Sequence, residues 1–195
     1  HILIYLRIRK NTMYKNTDNS WGLIAKIFHW AVALLIIWQL FTGFNLSTLE
    51  FSPQKIAFIE LHKIFGTSIF LFILIRLGWR FYNISPSNKD LPKAHQIIST
   101  IVHNLLYFLV ILTTIQGTLM TQVGGFDVKL LGLINVPRMI SENLDIYPFF
   151  KSIHYILWML LLTTFVIHLM AGIYHRFSGD KYRVWQRMSF WSKKK

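Results

Sequence analysis

Histidine side chains in an apolar setting are the feature of this sequence that most directly indicates chemistry. The stretch 152–175 contains His154, His168 and His175, and no charged residue interrupts it before Arg176. His154 and His168 lie 14 positions apart, which comes within about 40° of whole helical turns and corresponds to a rise of roughly 21 Å. Both imidazoles would therefore project from one helix face, near opposite sides of a hydrocarbon layer about 30 Å thick. Two imidazoles at two depths indicate two metal centres.

Long apolar segments must position these histidines. The chain has 195 residues, of which 53% are hydrophobic and only 15% are charged, and its mean hydropathy is +0.41. This composition is too apolar for an ordinary soluble domain of that size. Four stretches are long enough to span a bilayer, namely 27–49, 57–81, 96–126 and 152–175. The sequence therefore predicts an all-α, integral membrane four-helix bundle.

The net charge of +13 is unevenly distributed along the chain. If the N-terminus is cytoplasmic, sixteen of the 21 Lys and Arg residues and three of the eight acidic residues lie in inner segments. The outer segments then carry no net charge, so the positive-inside rule predicts that both termini are cytoplasmic. The basic surplus is an orientation signal and a contact with anionic lipid of the bilayer, and it does not indicate nucleic-acid binding.

The residue types that the sequence lacks exclude several kinds of metal centre and catalytic site. The sequence has no cysteine, which excludes disulfides, iron–sulfur clusters, thiol catalysis and the covalent attachment of c-type haem. The interior of the four apolar stretches lacks Asp and Glu, which argues against a di-iron carboxylate centre and a proton-coupled transporter. A zinc site usually adds cysteine or carboxylate, or three clustered histidines, and so fits less well.

The chain is expected to divide into three parts. Residues 1–20 form an N-terminal cytoplasmic segment, of which 1–12 are set aside as non-native because Met13 is the expected start. The four-helix membrane domain covers 21–178, and 179–195 form a basic cytoplasmic tail.

Two connections between the predicted helices are long enough to have structure of their own. Residues 82–95 contain two prolines, and a polar inner linker that includes His95 is expected there. The outer segment 123–150 contains Gly124-Gly125 and apolar stretches, for which we expect one or more short interfacial helices.

The predicted topology sorts four of the histidines into two pairs by depth. His29 on the first helix and His168 on the fourth lie toward the inner side, whereas His62 on the second helix and His154 on the fourth lie toward the outer side. Neutral imidazole is the standard axial ligand of haem iron, and two of them give a six-coordinate, electron-transferring centre. The alternative is a haem-free structural or transport bundle in which the histidines only hydrogen-bond neighbouring helices. Ionisable groups at membrane depth are costly and tend to be functional, which favours haem ligation.

Short sequence motifs around the histidines are similar to those of a known protein family. They are I-F-H-W at His29, L-H-K-I-F-G at His62, R-L-G-W-R at the end of the second span and V-H-N-L-L-Y at His103. With the spacing of the fourth span, they resemble the bacterial cytochrome b561 family, over roughly residues 20–190. The resemblance implies a multi-pass protein of the bacterial cytoplasmic (inner) membrane with two haems b. It assigns the same two pairs of ligands, one at each depth.

The resemblance also implies an activity. Well-described members oxidise superoxide and reduce ubiquinone, so a superoxide:quinone oxidoreductase is the expected function, with ubiquinone as substrate. Related proteins are cytochrome b subunits that pass electrons between a partner dehydrogenase or hydrogenase and quinone, and this is the alternative. In both cases haem performs the redox chemistry, and the protein positions it and sets its surroundings.

Two further histidines are candidates for supporting roles. By the resemblance, His175 is the quinone candidate, and its alternative is a hydrated interfacial histidine beside Arg176. His103 either supports the inner haem or lies at its boundary. No side chain is singled out as a catalytic residue.

Basic residues near the predicted ligands are candidates to pair with haem propionates. Arg76 and Arg80 would do so at the inner haem, and Lys63 and Lys151 at the outer haem, although ordinary positive-inside anchors would look the same. Three glycines either accommodate porphyrin or serve helix packing, namely Gly66, Gly117 and Gly172.

The charge of the outer side bears on superoxide as a donor. Superoxide is an anion, and its fast oxidation benefits from a positive outer funnel. Because the outer segments sum to zero charge, steering would require a local cluster of Lys63, Lys129, Arg138 and Lys151.

Overall fold

Four long helices dominate the computed structural model, which describes residues 14–178 and 182–190. They are α1 (Leu23–Thr48), α2 (Pro53–Tyr82), α3 (Lys93–Val123) and α4 (Tyr147–Phe177), followed by the short α5 (Val184–Met188). Each of the first four is long and apolar enough to cross a membrane. The predicted all-α fold is confirmed, since each predicted span corresponds to one of these helices.

Capping residues explain where two of the helices begin. At the start of α2, Ser52 Oγ accepts a hydrogen bond from the backbone N–H of Lys55 at 3.2 Å, and Pro53 occupies the first helical position, where a missing N–H costs nothing. At the start of α3, Pro92 immediately precedes the first helical residue, and its carbonyl accepts from the backbone N–H of Gln96 at 3.1 Å. The side chain of Gln96 also donates to the Leu91 carbonyl at 2.8 Å.

The placement of His95 in a linker is wrong. Because α3 begins at Lys93, His95 lies in the first turn of a helix. The physical reason is Pro92, which is compatible with the first turn of a helix and therefore starts α3 earlier than the apolar pattern suggests.

The expectation of short interfacial helices in the outer segment 123–150 is also wrong. That segment instead forms a two-stranded antiparallel hairpin, β1 (Lys129–Leu130) and β2 (Ile134–Asn135). The reversal places Leu131 and Gly132 at φ 55° and 74°, and such left-handed positions are incompatible with a continuing helix. Thr67 of α2 holds the hairpin, because its hydroxyl donates to the Lys129 carbonyl at 3.1 Å and accepts from the Leu131 N–H at 3.2 Å.

The chain separates into two compact units. Among the described residues, the first comprises 14–31, 74–104, 165–178 and 182–190, and the second comprises 32–73 and 105–164. All four long helices contribute to each unit. The second unit has a core of aliphatic side chains from all four helices, including Val32, Ile36, Ile69, Ile73, Leu109, Val110, Leu157 and Leu161.

In the first unit, α5 and the residue after it pack on the start of α1. Trp30 Nε1 donates to the Met188 carbonyl at 3.2 Å, and Lys26 Nζ donates to the Ser189 carbonyl at 2.8 Å. The ring of Trp30 also lies edge-on to Trp185, with centroids 6.2 Å apart. These contacts satisfy polar groups at the start of α1, an apolar helix with no acidic residue in its first turn.

Large apolar side chains are exposed along all four long helices. Leu34, Leu74, Ile101 and Met170 illustrate this, one from each helix. A water-facing helix would carry polar residues on that face, whereas lipid hydrocarbon covers such side chains at no cost. The pattern agrees with helices that span a bilayer.

Candidate functional site

Two of the predicted ligands face each other in the second unit. His62 of α2 and His154 of α4 have ring centroids 6.3 Å apart and ring planes at 80°. We call this pair the His62–His154 site. Both side chains are largely enclosed by the neighbouring helices.

The other predicted pair lies within the first unit. His29 of α1 and His168 of α4 have ring centroids 6.1 Å apart and ring planes at 76°. We call this pair the His29–His168 site. The structure therefore brings together the same two couples that the depth argument predicts.

The geometry and donor set of both sites suit an iron porphyrin. Two imidazoles on opposite sides of one metal ion, each bound at about 2.0–2.1 Å, hold their ring centroids roughly 6 Å apart, since each centroid lies about 1 Å behind its nitrogen. The observed values of 6.1 and 6.3 Å match this separation. Within the described ranges, no group of three or more His, Cys, Asp or Glu side chains could hold a metal ion. The pairs are therefore unlike a closed zinc site and suit a group that brings its own equatorial ligands.

The tautomer of His154 follows from its neighbour Gln116 on α3. The amide nitrogen of Gln116 donates to the Phe150 carbonyl at 2.5 Å, which leaves its oxygen to face Nδ1 of His154 at 2.9 Å. An amide oxygen only accepts, so the proton of the imidazole is on Nδ1. Nε2 then carries the lone pair that a metal ligand needs.

His62 is held in the same way by Thr42 of α1. The Thr42 hydroxyl donates to the Gln39 carbonyl at 3.1 Å and lies 3.1 Å from Nδ1 of His62. When the hydroxyl proton is on the Gln39 carbonyl, the hydroxyl oxygen accepts from Nδ1–H of His62, and this is the tautomer that leaves Nε2 for a metal. Gln39 also fixes the backbone of α2, since its side-chain amide donates to the His62 carbonyl at 2.9 Å. Both histidines of this site therefore have Nδ1 engaged and Nε2 available.

Two glycines lie directly against these ligands. A Cβ atom at Gly117 would lie 2.9 Å from Cε1 of His154, and one at Gly43 would lie 3.3 Å from Cε1 of His62. Trp158 also lines the space beside Gly43, and its indole nitrogen is buried with no hydrogen-bond partner among the described residues. An unpaired donor next to a ligand is what a group bearing acceptor atoms would satisfy.

The other predicted glycines have different neighbours. A Cβ at Gly66 would lie 3.1 Å from the side-chain nitrogen of Gln39, and one at Gly172 would only reach Trp185 at 4.0 Å. Of the three glycines singled out by sequence, Gly117 is thus the one against a predicted ligand.

The surroundings of the His29–His168 site are cationic. Arg76 Nη2 lies 2.9 Å from Nδ1 of His29, and because arginine only donates, Nδ1 must accept. The ring of His103 lies edge-on to His168, with centroids 5.2 Å apart. For His29 to offer Nε2 to a metal, Arg76 has to give up Nδ1, and a haem propionate is an anion that can receive it. No hydrogen bond to the ring of His168 is found among the described residues.

His175 lies beside a histidine that sequence reasoning had not linked to it. The rings of His175 and His95 have centroids 6.3 Å apart, with planes at 69°. His95 is exposed and His175 is half-buried, so the pair borders the first unit at a place that water and lipid can reach.

Ion pairs neutralise part of the basic cluster expected at the outer side. Lys63 pairs with Glu60 at 2.5 Å and donates to the Asp127 carbonyl at 3.3 Å, while Arg138 pairs with Asp127 at 2.9 Å. Lys129 and Lys151 are exposed, and neither side chain forms a hydrogen bond or ion pair with another described residue. A cavity of about 420 Å³ is lined by Glu60, Lys63, Ile64, Phe126, Asp127, Lys129 and Gly132.

Sequence reasoning missed the residues around the ligands of the His62–His154 site, namely Gln39, Thr42, Gly43, Gln116 and Trp158. A threonine in an apolar span usually hydrogen-bonds its own helix, so Thr42 carried no distinctive signal. The hint in α1 was that Gln39 and Thr42 interrupt the apolar middle of the helix.

Comparison with known proteins gives the family to which the sequence is similar. A sequence profile of the family described as prokaryotic cytochrome b561 matches residues 20–191. The chain is also similar to "Cytochrome b561 homolog 2" of Escherichia coli (strain K12), with 26% identity over 170 residues, covering 84% of this chain and 88% of that protein. The matched range contains all four histidines of the two sites.

Proposed function

This chain belongs to the prokaryotic cytochrome b561 family, and from that membership we propose that it holds two haems b, one at each of the two histidine sites. Family membership and the four apolar helices make it a multi-pass bacterial membrane cytochrome that serves electron transfer. The observation that carries the haem assignment is that each site brings together two imidazoles from within different apolar helices, with ring centroids 6.1 and 6.3 Å apart. We place the protein in the cytoplasmic membrane, with the His29–His168 site on the cytoplasmic side, on the strength of its charge distribution.

The residues of the chain bind and orient the cofactors. Haem, when bound, supplies one-electron chemistry in both sites. The four imidazoles would hold the iron, and the apolar helices would limit the access of water to it. Thr42 and Gln116, as acceptors at Nδ1, would keep Nε2 of His62 and His154 unprotonated and available to the metal. Arg76, with Arg80 one turn later, is the proposed partner of the propionates at the His29–His168 site.

The proposed electron acceptor is ubiquinone, near His175. Reduction of a quinone to the quinol takes two electrons and two protons, so a group that can hold and pass a proton is needed beside it. The contact of His175 with His95 supports this place, because two imidazoles there can relay protons from the aqueous side.

The proposed electron donor is superoxide, at the side of the His62–His154 site. Each superoxide anion gives one electron and leaves as dioxygen, so two of them supply one quinone. Lys63, adjacent to His62, and Lys129 line the cavity at this end, and Lys151 lies near His154 in sequence. These cations would attract the anion and pair with propionates of the outer haem.

The alternative is a cytochrome b subunit fed by a partner dehydrogenase or hydrogenase. The observation that favours it is the pairing of Lys63 with Glu60 and of Arg138 with Asp127. Charges neutralised in this way attract a small anion only weakly, whereas they do not hinder docking of a protein.

A reduced-minus-oxidised absorption spectrum of the purified protein tests the haem assignment. We expect sharp b-type bands and two haems per chain after expression with adequate haem supply. A protein that inserts into the membrane but shows no such bands would refute the assignment.

Quinone reduction by the purified protein alone then tests the donor. With an enzymatic superoxide source and a soluble ubiquinone, quinol should form at a rate that superoxide dismutase suppresses. His154→Ala is the matched control, since it lacks one proposed ligand. If quinone is reduced only after a partner dehydrogenase is added, the subunit alternative holds.

A further inference from the structure

The two histidine sites differ in what lies at Nδ1 of their ligands. At the His62–His154 site, the neutral side-chain oxygens of Thr42 and Gln116 lie 3.1 and 2.9 Å from Nδ1 of His62 and His154, respectively. At the His29–His168 site, Nδ1 of His29 faces the guanidinium of Arg76. The His168 ring has histidine neighbours but no hydrogen-bond acceptor within the described chain.

This difference acts on the reduction potential of a bound haem. An acceptor at Nδ1–H increases the negative charge on the imidazole and makes it a stronger donor to the metal, which favours the more positive, oxidised iron. His62 and His154 are each half-buried among the helices, so solvent screens this effect only in part.

We propose that Thr42 and Gln116 make the His62–His154 site the lower-potential centre, because neither His29 nor His168 has a hydrogen-bond acceptor at Nδ1 among the described residues. The inference rests on the proposed binding of one haem at each site. Thr42 and Gln116 are positioning residues, since they act on the metal through His62 and His154.

The order of potentials gives the protein a direction. An electron that enters at the lower-potential centre moves downhill to the higher-potential centre. Under the predicted topology this runs from the outer side to the quinone side, in agreement with the proposed donor and acceptor. The hydrogen bonds around the ligands would thus bias the protein against the reverse flow.

Variants that retain one site test the order directly. In a spectroelectrochemical titration, the wild-type protein should show two one-electron components. The component left in His154→Ala should be the higher-potential one, and the component left in His168→Ala should be the lower-potential one. The reverse assignment overturns the inference, and so do two components of equal potential.

Second variants test the residues named. Thr42→Val and Gln116→Leu should each raise the lower component alone, by about 59 mV for every tenfold loss of preference for the oxidised form. Thr42→Ser keeps the hydroxyl and should restore the wild-type value. Gln116→Glu places a stronger acceptor at Nδ1 and should lower the same component, a reversal of sign that a packing role does not produce.

Thr118→Val is the matched control, because the Thr118 hydroxyl donates only to the Thr114 carbonyl of its own helix. It should leave both components unchanged. A shift of the higher component in Thr42→Val, or no shift in any variant at Thr42 and Gln116, overturns their assignment. If a variant at Thr42 or Gln116 fails to bind haem, the inference can still be tested. His154→Ala and His168→Ala report the order of the two potentials while Thr42 and Gln116 are unchanged.

The failure of this inference is distinguishable from that of the proposed function. If no haem binds, or if His154→Ala removes both haems, the ligand assignment has failed. If two haems bind and only their order is reversed, the proposed function stands and the inference falls.

Discussion

Gly117 of α3 lies directly against His154 of α4, which makes Gly117→Ala a sharp test of the His62–His154 site. The new Cβ would lie 2.9 Å from Cε1 and 3.3 Å from Nδ1 of His154, whereas ordinary contacts begin at 3.4 Å. The ring must therefore move by about half an ångström. Metal–ligand distances tolerate only about 0.2 Å, so the histidine cannot keep both its place and its bond.

Two effects of opposite sign follow from this substitution. Alanine is favoured over glycine inside a helix by about 1 kcal/mol, so the α3 helix itself should not be weakened. Displacing His154 also strains its hydrogen bond to Gln116, and loss of such support typically costs 10–100-fold in metal affinity. That factor corresponds to about 1.4–2.8 kcal/mol of binding free energy, which exceeds the gain in helix propensity. The protein should therefore insert and fold normally but lose haem from one site.

The measurement is haem per chain and the reduced-minus-oxidised spectrum of the protein purified in detergent. We expect a fall from two haems toward one, with the bands of the His29–His168 site retained. Gly78→Ala is the matched control, because a Cβ at this helical glycine meets nothing within 4 Å. Two haems retained by Gly117→Ala, or an equal loss in Gly78→Ala, would refute the reasoning.

Three further predictions address the other proposed roles. His154→Ala should remove the haem of the His62–His154 site and leave the other, as judged by haem content; loss of both or of neither counts against the pairing. His95→Gln and His175→Gln should each slow quinone reduction several-fold while the haem spectrum and haem content stay at the wild-type level; an unchanged rate would exclude a proton-relay role. If superoxide is the donor, Lys129→Glu should lower the second-order rate of superoxide oxidation about tenfold at low salt, an effect that added salt should diminish. Lys89→Glu, an exposed charge of the first unit, is its control, and equal rates in all three proteins would argue against electrostatic steering.

Much of the fold could be predicted because hydrophobic length is a local property. The apolar stretch 27–49 became α1, and 152–175 lies within α4. Predictions failed where local patterns are ambiguous. The apolar run around Leu131 is compatible with a strand, an interfacial helix or a turn. In the structure, Leu131 and Gly132 have positive φ angles and form the turn of a hairpin.

The residues of the candidate sites likewise divide into those that the sequence predicts and those that only the structure reveals. The spacing of His154 and His168 along one helix is readable from the sequence, and so is the depth at which His29 and His62 should meet them. The contact of His95 with His175 could not be predicted from the sequence, because it joins the start of α3 to the end of α4. The ion pair of Lys63 with Glu60 was missed as well, since a zero net charge does not reveal which charges are neighbours.

The sequence by itself determined that four apolar helices exist, that no cysteine is available, and that imidazoles are the candidate metal ligands in the apolar stretches. Only the tertiary structure decided which nitrogen each imidazole presents, through Thr42 and Gln116 at one site and Arg76 at the other. The reason is physical: periodicity and hydropathy belong to a single helix, whereas the partner of a histidine Nδ1 comes from a neighbouring helix and depends on how the two pack.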